Sequence, residues 1–159
     1  QAQIASNGGR RWVDLAALFK GPGQTALDRK HEILTGFRLP LAAPGQGSAH
    51  RRVMRPQGVA LAILNTAVWV RRAGECVAEV RISVGPGGPT PLRAQLTEQM
   101  LRGQAPDEKL LAQAAACLLT EARLRTSPHR ATAAYRSHLA GILLADAFTA
   151  AWQRTFNES

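Results

Sequence analysis

Acidic residues are scarce: 11 Asp and Glu face 20 Lys and Arg, a net charge of +9 over 159 residues. Such an excess raises nucleic acid as a partner. Lysine is nearly missing too, with only Lys20, Lys30 and Lys109. The charge therefore sits on dispersed arginines, and the one dense group, Arg51, Arg52 and Arg55, has no interleaved aromatic rings on which bases would stack. The expected partner is not nucleic acid. A basic domain that docks on an acidic subunit, or faces a dinucleotide phosphate, accounts for the same charge.

Other absences narrow the class further. Cysteine appears as Cys76 and Cys117, without a Cys-x-x-Cys, which excludes a cysteine zinc frame and a disulfide scaffold and fits a reducing, cytoplasmic compartment. No apolar run approaches the ~20 residues needed to span a bilayer, so no membrane partner is expected. No basic-then-apolar leader opens the chain, and its start at Gln1-Ala2-Gln3 without Met suggests a processed or truncated product. His31, His50, His129 and His138 are scattered, with no His-Glu-x-x-His, and a serine nucleophile elbow is lacking. No catalytic constellation or metal site emerges from spacing. What is present is 45% hydrophobic composition, enough for one core and a small appendage.

The first stretch reads as a strand edge followed by a short helix, Asp14 capping Leu15-Ala16-Ala17-Leu18-Phe19 until Gly21-Pro22-Gly23 stops it. In Glu32 to Leu39, Ile33, Thr35, Phe37 and Leu39 alternate as a strand, while Leu34 puts an apolar side chain on the opposite face. Pro40 to Ser48 is a Pro/Gly-rich connector and the expected domain boundary. Strands are expected over 49–55 and 59–71, the second central and covered on both faces, with a return from Val77 to Val84 after the Ala73-Gly74-Glu75 turn. In that return Ala78, Val80, Ile82 and Val84 face inward.

Helical periodicity follows. Thr90 and Pro91 are expected to start a helix that runs to Arg102 and ends at Gly103. A second begins at Pro106-Asp107-Glu108 with Leu110, Leu111, Ala114, Leu118 and Ala122 as its apolar stripe, and Cys117 reads as a core thiol. A third spans about Thr132 to Phe156, carrying Tyr135, Leu139, Ile142, Leu143, Ala147, Ala150 and Ala151. The fold class is α+β: a small antiparallel sheet of about three strands followed by a three-helix bundle.

Three features admit a site or a plain structural role. The Gly85–Pro89 loop can bring backbone N–H groups to an anion, but it is neither G-x-G-x-x-G nor a Walker loop, and a rigid strand-to-helix turn is the stronger reading. Asn65 either meets a ligand or ties backbone across the sheet. Arg51, Arg52 and Arg55 with Gln57 form either an anion cluster or a solvated strand.

Longer stretches carry a resemblance. Arg55-Pro56-Gln57-Gly58-Val59-Ala60-Leu61-Ala62-Ile63-Leu64-Asn65-Thr66-Ala67-Val68-Trp69 and Ile82-Ser83-Val84-Gly85-Pro86-Gly87-Gly88-Pro89-Thr90-Pro91-Leu92-Arg93-Ala94 resemble the C-terminal domain of molybdenum hydroxylase flavoprotein subunits, the carbon monoxide dehydrogenase/xanthine dehydrogenase type. Tyr135 to Leu143 looks like that family's last helix, and Phe19 to Leu27 with Glu32-Ile33-Leu34-Thr35 is similar to the end of its FAD-binding domain.

The resemblance implies residues 1–47 as a C-terminal remnant of an FAD-binding domain and 48–159 as the flavoprotein C-terminal domain. It implies a subunit that passes electrons from iron–sulfur clusters through FAD to an acceptor, beside a molybdopterin-binding large subunit and an iron–sulfur small subunit. The glycine-rich segments that hold the FAD pyrophosphate lie earlier in such subunits. Ile33 and Leu34 fall on the apolar pair near the isoalloxazine, Leu34 pointing away from its own core, and Arg51 falls where relatives carry a Lys beside the ring. Arg for Lys keeps the charge and changes the geometry, and Gly58 stands where the family has Asp. The isolated chain is expected to be inactive and to bind FAD weakly or not at all. The alternative is an interaction or assembly module that keeps the fold without flavin.

Overall fold

The computed structural model describes residues 1–55 and 60–156; Gln57 and Gly58, singled out above, lie outside them. The chain divides into two compact units, Gln1–Leu41 and Ala42–Ser159.

In the first unit, β1 (Ala2–Ser6) and β2 (Gly9–Val13) form a hairpin, and β5 (Glu32–Phe37) pairs with the other edge of β1, all antiparallel. The expected helix shrinks to one 3-10 turn, Leu15–Leu18, and Asp14 makes no side-chain cap bond. A five-residue apolar run gives too little propagation to repay helix nucleation. Phe19 instead opens β3 (Phe19–Gly21), which pairs with β4 (Gln24–Thr25). The buried core is Ala2, Ile4 and Leu18, with Val13 and Leu27 packed against it.

The second unit is the α+β body expected from the pattern. β6 (Gln46–Met54), β7 (Ala62–Ala73), β8 (Cys76–Gly85) and β9 (Leu92–Arg93) form one antiparallel sheet in sequence order. Then come α1 (Gln95–Leu101), α2 (Glu108–Glu121) and α3 (Ala133–Arg154). Helix α3 lies across β6 and β7, α1 lies against β8, and α2 packs on both other helices.

On β7, Leu64, Thr66, Val68 and Val70 are buried, whereas Asn65, Ala67 and Trp69 on the opposite face are half-buried. The strand is central, but only one face is fully covered. The β7–β8 turn uses Gly74 at φ +58°, a value that suits a residue without Cβ. A register shift between Arg71 and Arg72 brings Val77 into the core with Val80, Ile82 and Val84, while Ala78 is only half-buried. These side chains meet Leu139, Leu143, Leu144 and Phe148 of α3.

The first helix starts later than its Thr90-Pro91 signal predicts. Leu92 and Arg93 pair with Val84 and Ser83 as a fourth, two-residue strand. Helix α1 is then capped from a distance: the Glu121 carboxylate of α2 accepts from the backbone N–H groups of Leu96 and Thr97 and from the Thr97 hydroxyl. Local caps hold the other two helices. Asp107 accepts from Leu110 N at 2.6 Å and Thr132 from Tyr135 N at 3.2 Å. On α3, Tyr135 and Ile142 are exposed instead of joining the apolar stripe, and on α2 Cys117 is half-buried, beside the stripe of Ala114 and Leu118.

Candidate functional site

Ile33 and Leu34 sit on β5 of the first unit. A bulge controls which way they face: Leu34 pairs with Ile4 and Gly36 with Gln3, leaving Thr35 as the extra residue. Residues directly opposite in an antiparallel pair share a face. Leu34 therefore lies on the side of the buried Ile4, and Ile33, opposite Ala5, lies on the other. The expectation that Leu34 turns away from its own small core is thus corrected; strict alternation could not register a bulge at Thr35. Both side chains still reach the surface, Ile33 at 66% and Leu34 at 37% exposure. Phe37, Leu39 and Leu41 are also exposed. For a unit with so small a core, this is much uncovered apolar surface.

Arg51 belongs to the second unit. Strand alternation puts it with Ala49 and Val53 on the helix-facing side of β6, directly across from Thr66. It is half-buried and uses Nη1 to reach the His50 carbonyl at 3.2 Å. Its other donors make no bond among the described residues. Arg52 faces the opposite way and is exposed, so the three arginines do not act as one cluster. Arg55, past the end of the strand, donates Nη2 to the carbonyl of Arg130 at 3.1 Å.

Two hollows flank the Gly85–Pro89 loop. One, of about 250 Å³, is lined mainly by that loop, Leu92, Arg93 and the end of α2. The other, of about 460 Å³, is lined by Pro86, Gly88 and the loop from Arg125 to Arg130, with Arg136 from α3. Arg136 is 2% exposed, and its Nε has no hydrogen-bond partner among the described residues. Burial, and then the charges of Arg130 and Arg125, lower its pKa. Periodicity could not single out Arg136, because an arginine on a helix reads as a solvent-facing residue.

The remaining candidates do not converge. His31 hydrogen-bonds Asp28 at 2.8 Å, His50 and His138 are exposed, and His129 lines the larger hollow. Among the described residues no group of three His, Cys, Asp or Glu side chains is placed to hold a metal ion. No helix among them is long and apolar enough to cross a membrane.

Comparison with known proteins bears on this arrangement. The carbon monoxide dehydrogenase medium chain of Hydrogenophaga pseudoflava is 32% identical over 146 residues, 92% of this chain and 50% of that one. A putative xanthine dehydrogenase FAD-binding subunit of Escherichia coli is 28% identical over 138 residues, 86% of this chain and 47% of the relative. The chain thus spans about half the length of the curated relatives it matches. A solved carbon monoxide dehydrogenase from Hydrogenophaga pseudoflava, lacking the Mo-pyranopterin moiety of its molybdenum cofactor, superposes with a TM-score of 0.88 at 30% identity over 96% of this chain and 52% of its own. Quinoline 2-oxidoreductase from Pseudomonas putida 86 shares the fold, with a TM-score of 0.85 at 24% identity and coverage of 98% of this chain and 53% of that one. The profile of the CO dehydrogenase flavoprotein C-terminal domain matches residues 49–151, and the chain belongs to that family.

Proposed function

We propose that this chain forms the C-terminal part of the FAD-binding subunit of a molybdenum hydroxylase, covering the flavin ring and supporting electron transfer from iron–sulfur clusters through FAD to an acceptor. The observation that carries the reading is the family match over residues 49–151, joined to relatives whose names are FAD-binding subunit and medium chain. Under this reading residues 1–47 complete the FAD-binding domain and 48–159 form the domain that follows it. The partners are a molybdopterin-binding large subunit and an iron–sulfur small subunit, in the cytoplasm.

The residues present suit a flavin. Ile33 and Leu34 offer apolar surface of the kind an aromatic ring system covers, and Arg51 keeps guanidinium donors in reserve on a half-buried strand. FAD, when bound, supplies the redox chemistry, and protein groups orient it and set its potential. Ile33 and Leu34 face opposite sides of β5, so one of the two would exclude water from the ring. Arg51 would steady negative charge that builds there, an attraction that grows as water is excluded. Substrate choice belongs to the molybdenum subunit.

Isolation of the native gene product from its own cells tests the proposal. A flavin absorbance spectrum together with co-purifying molybdenum and iron–sulfur subunits is the expected result. A native product free of flavin and of such partners would overturn it and favour an assembly module that keeps the fold alone.

A further inference from the structure

The larger hollow has a charge imbalance that the flavin reading does not use. Arg125, Arg130 and Arg136 line it, and among the described residues no Asp or Glu does. None of the three is in a salt bridge among the described residues. Arg136 is the telling member, because burying a guanidinium with an unpartnered Nε is unfavourable unless something answers it. The like charges of Arg130 and Arg125 add to that cost, as the lowered Arg136 pKa records. Arg55 fixes the rim by its bond to the Arg130 carbonyl, and Gly88 brings backbone to the wall.

Cations gathered around an empty space without an internal counter-charge call for an external one. A single carboxylate would neutralise one of three guanidinium groups. A phosphoryl group carries up to about two charges and three acceptor oxygens, and it matches the forked donors of arginine. Ser127 lines the same hollow. We infer that the hollow bounded by Arg125, Arg130 and Arg136, whose lining includes none of Ile33, Leu34 and Arg51, is a phosphoryl-binding site. At about 460 Å³ it has room for a phosphoryl group carried on a small organic body as well as for the free ion.

Isothermal titration and thermal unfolding of the full chain, at constant ionic strength, test this with inorganic phosphate, phenyl phosphate and acetate. Saturable binding of a phosphate species, with a rise in Tm that acetate does not produce, is expected. Tighter binding of phenyl phosphate identifies an organic phosphoryl ligand, and equal or weaker binding identifies the free ion. Arg125→Gln and Arg130→Gln should each weaken binding by about tenfold (~1.4 kcal/mol). Their Tm without phosphate should be unchanged or higher, since each relieves repulsion on Arg136. Arg136→Lys, which keeps the charge without the fork, should bind less tightly than the parent chain. Binding no stronger than that of acetate, or binding indifferent to Arg125→Gln and Arg130→Gln, would overturn the inference. Flavin content is not read in any arm, so failure here leaves the flavoprotein reading standing, and the reverse.

Discussion

Glu98 and Arg93 are joined by a two-pronged ion pair: Nε lies 2.9 Å from Oε1, and Nη2 lies 2.9 Å from Oε2. Glu98 is 1% exposed, and its Oε1 also accepts from Ile82 N at 2.9 Å. One buried carboxylate thus ties α1 to both β8 and β9. Truncating it strands a backbone donor and a guanidinium, whereas the exposed half of Arg93 keeps some solvent. Glu98→Ala should therefore cost about 3 kcal/mol in urea unfolding. A loss below about 1 kcal/mol would show that the tie contributes no more than a surface pair.

Gly47 governs how closely α3 approaches the sheet. A Cβ at this position would collide with the Ala151 carbonyl oxygen and press on Arg154. The obstacle is helix backbone, which does not swing aside as a flexible side chain does. Gly47→Ala should destabilise the second unit by roughly 1–3 kcal/mol, within the range for overpacking. Gly36→Ala, with open space around it, is the matched control. Equal stability of the two variants would refute the close-approach account.

Acid should loosen the first unit. The His31 side chain, then the Lys30 N–H, lowers the Asp28 pKa below its ordinary 3.8. The Arg11 guanidinium, then the Asp28 N–H, lowers that of Glu32 below 4.5. A depressed carboxylate stabilises the fold fully above its unfolded pKa and loses that contribution as pH falls through the folded one. Amide exchange protection in Gln1–Leu41 should hold above about pH 4.5 and decline as the pH drops past 3.8. Arg11→Ala should flatten this decline. Protection that rises on acidification would contradict the assignment.

If Arg51 stands beside the flavin, it acts through charge. In the assembled flavoprotein Arg51→Gln should make the flavin reduction potential more negative, because the cation favours the reduced, negatively charged ring. Arg51→Lys should restore most of the change. A spectroelectrochemical titration reads both. Potentials that do not differ between the parent protein and Arg51→Gln would remove Arg51 from the ring.

Much of the second unit was legible in the residues. The central strand through Leu64 to Val70, the Gly74 turn, the helix starts near Asp107 and Thr132 and the stripe of Ala114 and Leu118 are local signals, and the structure has them where they were expected, though only one face of that strand is fully covered. What escaped was tertiary. The Glu121 carboxylate that caps α1 is 25 residues from Leu96, so Thr90 and Pro91 offered a false start. The bulge at Thr35 rests on pairing with β1, which no local period encodes. The burial of Glu98 and Arg136 depends on partners and hollows that form only after β8, β9 and the helices meet. The family resemblance was carried by ordered motifs, Arg55 to Trp69 and Ile82 to Ala94 among them, rather than by any catalytic spacing.

The most direct measurement is a density map of the native assembly purified with its cofactors. The account predicts an isoalloxazine ring in van der Waals contact with Ile33 or Leu34, with the Arg51 guanidinium beside it. A ring bound elsewhere, with these three side chains on surfaces that never meet it, would contradict the account.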